Sequence, residues 1–520
     1  MSEDEILNIK NNSVDIDPYL SLEYIEDGLS KSSTNWAELG SHIGSNTRLQ
    51  HLDVDASVTE EPWNDVEMSQ KFFDNIASNT SLEHLILHGI ETDMFSPTCL
   101  KHFTNLQSLK IRTSDIGTRG YIALGEMLSS PESKLEFLVI EASDFTKNSL
   151  SVLAVRDGLT NNTTLKKLKL VSYTGHPSLA WTCRNSAIED LTILDACMAD
   201  TKLFDLGNVL KSNTTLKTLK LGSPVSSGAC RMGNITISGW GAVSNSLRTN
   251  TTLTELDLSF NMINDESMTG LMTMLAGNST LKTLRLENLS PRAITRDGWR
   301  SIATTYIRSP TCALQNLYLG GNTLDGGTFR ELGSACYPNR TLKKLCLKLP
   351  SNRSLNTPRV GWNPWTNSLM RIVYNKESIM QTYNSNHVLE TICYPHEEAR
   401  FISAMASSPL MGKDLPSALQ MNRDEPNKSV LARRKILQSH YYNQDTIKEN
   451  REYRGYKTVV DTIVDMTDNM ESTEQLPNMM SWIGRDNDGL TLMFELIQST
   501  PTLCERVAAL VPAKRKRRSE

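Results

Sequence analysis

Nine histidines and nine cysteines are the side chains with which this 520-residue chain could build a catalytic or metal centre. They are scattered. The cysteines (99, 183, 197, 230, 312, 336, 346, 393, 504) include no C-x-x-C pair, so they offer neither a zinc knuckle nor a dithiol redox motif. His84 and His88 are the most suggestive histidine pair, at i and i+4. Their surroundings read as a strand, where residues four apart share a face about 13 Å apart, too far to hold one metal ion. Asp486-Asn-Asp-Gly489 has the look of a calcium loop. If Asp486 opened an EF-hand, however, its glycine would come two positions early, and no glutamate closes the loop. Phosphate-binding, zinc-protease and serine-nucleophile motifs are absent. No catalytic residue, cofactor or metal is expected. What remains is binding chemistry. Lys110, Lys169, Lys220 and Arg285 each stand between two large aliphatic residues, Asp257 and Tyr318 do the same, and Arg112 and Lys167 lie two positions away in the same pattern.

The elements that position these residues are copies of one phrase. Asn162-Thr-Thr-Leu-Lys-Lys-Leu-Lys-Leu170 returns as Asn213-Thr-Thr-Leu-Lys-Thr-Leu-Lys-Leu221, Asn250-Thr-Thr-Leu-Thr-Glu-Leu-Asp-Leu258 and Asn278-Ser-Thr-Leu-Lys-Thr-Leu-Arg-Leu286. Its L-x-x-L-x-L core is the signature of a leucine-rich repeat. The first aliphatic residue recurs at Leu49, Leu82, Leu106, Leu135, Leu165, Ile188, Leu216, Leu253, Leu281, Leu314, Leu342 and Leu389. The intervals centre on 28 to 30 residues, long enough for a strand and a full return helix. Asp265–Ala276 shows the helix: acidic residues open it, Met268, Leu271, Met272 and Leu275 recur at three- and four-residue spacing, and Gly277-Asn278 follows. Residues 202–210, 121–128, 68–77 and 36–43 fit the same plan. The fold class is therefore α/β, a solenoid of about 12 repeats, with parallel strands on a concave face and helices on a convex one.

Two stretches carry a family resemblance. Leu256-Asp-Leu-Ser-Phe-Asn261-Met-Ile-Asn-Asp-Glu266 and Leu317-Tyr-Leu-Gly-Gly-Asn322 resemble the ribonuclease-inhibitor-like class of leucine-rich repeat proteins, and the likeness spans roughly residues 45 to 395. It implies a horseshoe and a non-enzymatic protein-interaction scaffold. The alternative is an activator of a Ran-type small GTPase, since activators of that type share this repeat class. The chain departs from the pattern because most copies lack the asparagine found at 261 and 322: Val171-Ser-Tyr173 follows Leu170. A less regular solenoid is the consequence to expect.

Strand alternation points the leucines inward and the residues between them outward. The outward row runs Asp53, Ile86, Lys110, Val139, Lys169, Thr192, Lys220, Asp257, Arg285, Tyr318, Cys346 and Cys393. Lys110, Arg112, Lys167, Lys169, Lys220, Asp257, Arg285 and Tyr318 are the candidate partner-binding residues, and the cations among them suit an acidic protein partner.

The remaining segments are assigned by interruption of the repeat. Residues 1–45 read as an N-terminal cap, 46–395 as the solenoid with insertions at 222–236 and 348–377, 412–511 as a helical C-terminal segment, and 512–520 as a basic tail. Trp362 and Trp365 in the second insertion are a possible partner anchor. Lys514, Arg515, Lys516, Arg517 and Arg518 match a nuclear localisation signal. The net charge of −5 points to no polyanion, so no nucleic-acid partner is expected. No apolar run reaches the ~18–20 residues of a membrane helix, and the acidic N-terminus shows no signal-peptide pattern. A monomer with reduced thiols, in the nucleus or cytoplasm, is the expectation. The many N-x-S/T sites, Asn162, Asn213, Asn250, Asn278 and Asn339 among them, read as turn chemistry rather than glycan acceptors.

Overall fold

The computed structural model describes residues 8–12, 18–22, 33–56, 66–90, 95–144, 152–172, 185, 187–195, 198–223, 235–289, 294–322, 324–347, 372–373, 385–393 and 414–424, with single residues at 428, 431 and 435. The twelve leading aliphatic residues of the phrase, from Leu49 to Leu389, are each at most 1% exposed. Behind them run short strands: β2 (His51–Asp55), β3 (His84–His88), β4 (Ser108–Asp115), β5 (Phe137–Asp144), β6 (Lys167–Ser172), β7 (Asp190–Asp195), β8 (Thr218–Gly222), β9 (Glu255–Asp257), β10 (Thr283–Arg285), β11 (Asn316–Tyr318), β12 (Lys344–Leu347) and β13 (Thr391–Cys393). A further strand, β1 (Tyr19–Leu22), precedes them inside the segment read as a cap. Leu20 and Leu22 bury as the repeat leucines do, but Tyr19-Leu-Ser-Leu22 lacks the leading leucine and asparagine, so the phrase does not extend to it. All thirteen strands pair in chain order in one parallel sheet.

Helices α1 (Ser33–Ser45), α2 (Val66–Ile76), α3 (Thr118–Ser129), α4 (Val152–Asn161), α5 (Asp200–Leu210), α6 (Ile237–Leu247), α7 (Asp265–Leu275), α8 (Arg296–Ser301) and α9 (Gly326–Cys336) return between strands, and α8 runs on into a π-helical turn over Ile302–Ile307. Strand alternation follows the expected pattern. In β2 and β3 every second residue is buried, and the inward leucines meet the apolar helix side, with Phe72 and Phe73 of α2 fully buried. Helices α3 and α4 touch backbone to backbone. A Cβ on Gly125 would lie 2.6 Å from the Ala154 carbonyl oxygen, and one on Gly158 would lie 2.6 Å from that of Gly125.

The phrase's asparagine is the joint between repeats. Asn250 Oδ1 accepts the N–H groups of Thr252 (3.0 Å) and Leu253 (2.8 Å), which turns the chain into the next strand. Its Nδ2 donates to the carbonyls of Leu210 and Asn213 in the preceding repeat, both at 3.0 Å. Asn79 and Asn278 repeat both halves of this arrangement. Asn250 is 4% exposed and Asn278 2%, so the amides that a glycan would need are already committed inside the fold.

Asn261 and Asn322 mark a second turn, just after a strand. Asn261 Nδ2 donates to Leu221 and Leu258 carbonyls, and Asn322 Nδ2 to those of Leu286 and Leu319. The residues before them have positive φ, Phe260 at 62° and Gly321 at 75°. Beside these turns β9, β10 and β11 are three residues long. Where the asparagine is missing, β4 and β5 extend to eight residues and β6 and β7 to six. Strand length thus varies along the sheet: in β4 to β7 nothing diverts the backbone, so pairing continues.

Two compact units divide the chain. One comprises Met1–Ala335, Thr341–Thr357 and Thr391–Glu397; the other comprises Cys336–Arg340, Pro358–Glu390 and Glu398–Glu520. Within the second, Asn386 Oδ1 accepts from the N–H groups of Val388 and Leu389, and its Nδ2 donates to Cys336 and Asn339 carbonyls. Helix α10 (Asp414–Asp424) follows. Its Asn422 Nδ2 donates to the Asn386 and Leu389 carbonyls, as a next rung would. No strand phrase follows Asn422. Instead, its Oδ1 accepts from the ammonium of Lys435, which is fully buried and also donates to the Val373 carbonyl at 2.8 Å. Burial, and then the charge of Lys428, push the Lys435 pKa down to about 7.

Candidate interaction surface

The outward row is continuous. Pairing sets Asp53, Ile86, Lys110, Val139, Lys169, Thr192, Lys220, Asp257, Arg285, Tyr318 and Cys346 side by side across β2 to β12. Cys393, next by spacing, falls out of the row. The register shifts between β12 and β13, and Cys393 pairs with Leu347. Cys346 stays in the row but is 1% exposed. All eight candidate partner-binding residues lie on these strands, and the structure sorts them by their ionic partners.

Toward β9–β11 the charges neutralise one another. Lys220 Nζ lies 2.9 Å from Asp257 Oδ2, and Arg285 Nε lies 3.0 Å from Glu255 Oε1 with a second contact to Glu287 at 3.7 Å. The Arg285 guanidinium also stacks 3.8 Å above the Tyr318 ring. Burial raises the Glu287 pKa, opposed by Arg285 and reinforced by Asp257. On β4 and β5, Arg112 Nε pairs with Glu141 Oε2 at 2.9 Å.

Lys110, Lys167 and Lys169 differ. Among the described residues, none of the three takes part in an ion pair. Burial lowers the Lys110 pKa, Arg112 and Lys169 lower it further, and Glu141 and Asp53 oppose them. Between Lys110 on β4 and Lys169 on β6 stands β5, on which Val139 is buried and the ring of Phe137 is exposed. Phe137 pairs with Lys167 across the strands. A shallow depression of about 510 Å³ opens here, lined by Glu136, Phe137, Lys166, Lys167, Leu168, Lys169, Asp190 and Thr192. Phe137 is absent from the residues singled out by sequence. Its signal is present, since it holds the same place before a strand leucine that Lys167 does, but a rule that selects charges passes over it.

The N-terminal strands carry aromatic rings. His51 and His84, adjacent on β2 and β3, stack with centroids 4.1 Å apart and planes 18° from parallel. Burial lowers the His84 pKa, His51 lowers it further, and Glu83 opposes them. His88 Nδ1 lies 3.5 Å from Asp55. His84 and His88 therefore serve separate contacts, as their spacing implies, and the partner of His84 is a residue 33 positions earlier.

Among the described residues no group of three or more His, Cys, Asp or Glu side chains could hold a metal ion, and no helix is long and apolar enough to cross a membrane. Cys99, Cys312, Cys336 and Cys346 are free and buried. Trp362, Trp365, the Asp486–Gly489 loop and the basic run Lys514–Arg518 lie outside the described residues, as does most of both insertions.

A recurrent L-x-x-L-x-L phrase, one parallel strand per copy and helices on the return path define a leucine-rich repeat solenoid. No protein-family model matches the sequence. The chain is similar to NACHT, LRR and PYD domains-containing protein 14 of Homo sapiens, 26% identical over 351 residues, a match covering 60% of this chain and 30% of that protein. Among solved structures it is similar to an internalin from Listeria monocytogenes (17% identical, covering 53% of this chain and 76% of that one, TM-score 0.25). It is also similar to actin-binding site 2 of leiomodin-1 (21% identical, covering 32% and 78%, TM-score 0.22).

Proposed function

We propose that the chain is a non-enzymatic scaffold that binds a protein partner through the outward face of its strands. The observation that carries this reading is the contrast between the two sides of each strand. The two inward positions of each strand phrase are Leu, Ile or Val from β2 to β12, whereas outward positions change in charge, size and aromaticity from strand to strand. A rigid row of unlike side chains is what selective recognition of an extended surface requires. The repeat length of 28 to 30 residues, with a full helix in most copies, supports the ribonuclease-inhibitor-like subclass.

The test is position-specific crosslinking in the full-length chain. A photoreactive residue at Thr192 or Thr283, on the strand face, should trap a protein partner in native extract; the same residue at Thr269, exposed on α7, should not. Equal or stronger trapping at Thr269 would overturn the reading.

A further inference from the structure

We infer that the part of the strand face that receives the partner is the β4–β6 patch, and that it takes an acidic protein segment in which carboxylates flank an apolar or aromatic side chain. This placement rests on the reading of the strand face as the binding surface.

The argument begins with charge. A cation already paired within the fold must lose that partner to gain another, whereas an unpaired one need only shed water. Arg112, Lys220 and Arg285 are paired. Among the described residues Lys110, Lys167 and Lys169 are not, and they surround the β5 strand. With neighbouring strands ~4.8 Å apart, Lys110 and Lys169 stand about 10 Å apart across β5, and Lys167 lies two residues from Lys169. The apolar group at that triangle is the Phe137 ring, 37% exposed, beside which Val139 is buried at 4% in the middle row. An exposed aromatic ring is a typical interface anchor, and the cations around it add the charge complementarity that selects a partner.

The same patch disfavours a uniform polyanion. Glu136 and Asp190 line the depression that holds Lys167 and Lys169, and Glu141 sits beside Lys110 with Arg112. A nucleic-acid backbone would bring its phosphates against those carboxylates. A peptide can place its two or three acidic groups on the lysines and an apolar group on Phe137, leaving the acidic border free.

Selection of random 12-residue peptides displayed against the full-length chain tests this directly. Selected peptides should carry at least two Asp or Glu residues around an aromatic or aliphatic one. Their binding should weaken tenfold or more in Lys110→Glu/Lys169→Glu and in Phe137→Ser. It should stay within twofold in Thr269→Glu, which adds a charge on the helix side. Circular dichroism melts of the variants must match the parent, and since all three side chains are at least partly exposed, they should. The inference is overturned if no peptide is selected, if the selected peptides are basic or uncharged, or if they bind both patch variants as tightly as the parent. It is equally overturned if a single-stranded oligonucleotide binds this patch more tightly than the peptides do. Peptides that ignore the patch but still block crosslinking at Thr192 or Thr283 would remove only this placement and leave the strand-face reading intact.

Discussion

Asparagine does more for this fold than its polarity suggests. One Asn250 side chain satisfies two N–H groups of its own repeat and two carbonyls of the repeat before it. Asn250→Ala strands all four, and since unmet buried backbone groups are expensive, the variant should lose about 2–3 kcal/mol in urea denaturation. Asn250→Asp should do no better, because it sets a carboxylate against two carbonyls. Lys435 gives a pH signature of its own. Its pKa is about 7 in the fold against 10.5 as a free side chain. Between those values the unfolded chain holds a proton that the folded one does not, so folding gains as pH rises, and below 7 the burial penalty is complete. The melting temperature of the second unit should climb from pH 7 to 9.5, and Lys435→Met should flatten the climb. At this scale the sequence is legible where a residue acts through its own phrase, as Asn250 does. It is silent where a residue acts across phrases: the His51–His84 stack needs the repeat register before two residues 33 positions apart become neighbours.

Helices and strands were largely readable because each is set by local pattern. The apolar spacing in Asp265–Ala276 predicts α7 to within a residue of Asp265–Leu275. Strand β1 escapes the same logic, since Tyr19-Leu-Ser-Leu22 is held by pairing with β2 and lacks the phrase that marks the others. How closely elements approach was not readable at all, because glycine in a helix looks the same at a contact as at a surface. Gly158 and Gly241 separate the two cases. A methyl on Gly158 collides with the Gly125 carbonyl, so Gly158→Ala should force α3 and α4 apart and cost about 1–3 kcal/mol. A methyl on Gly241 meets nothing within 4 Å, so Gly241→Ala should stabilise α6 by roughly 0.5–1 kcal/mol. Opposite signs in paired thermal melts are the expected result; equal signs would mean that packing at Gly158 relaxes.

Across the molecule, stability and the proposed recognition fall on opposite sides of the same strands. Leu219 and Lys220 are neighbours in sequence, yet one is fully buried and the other faces out. Leu219→Ala should open a cavity costing about 2–5 kcal/mol, with faster amide exchange concentrated in the flanking repeats, since each repeat leans chiefly on its neighbours. Lys169→Glu should leave the exchange pattern unchanged. The sheet order followed from the repeat, but which outward cations are available did not, because availability depends on carboxylates brought alongside by register, as Asp257 is to Lys220. The asparagine joints add a direction to this architecture. At Asn79, Asn162, Asn185, Asn250, Asn278 and Asn386 the donor belongs to the later repeat and the acceptors to the earlier. A chain leaving the ribosome N-terminus first therefore presents finished acceptors to the asparagine of each such repeat as it emerges, and these joints do not wait for sequence not yet made. Growth in the other direction would begin with donors that have nothing to grip. The solenoid is in this respect written in the order in which it is synthesised, and among the described residues Lys435, arriving after Asn422, supplies the last donor.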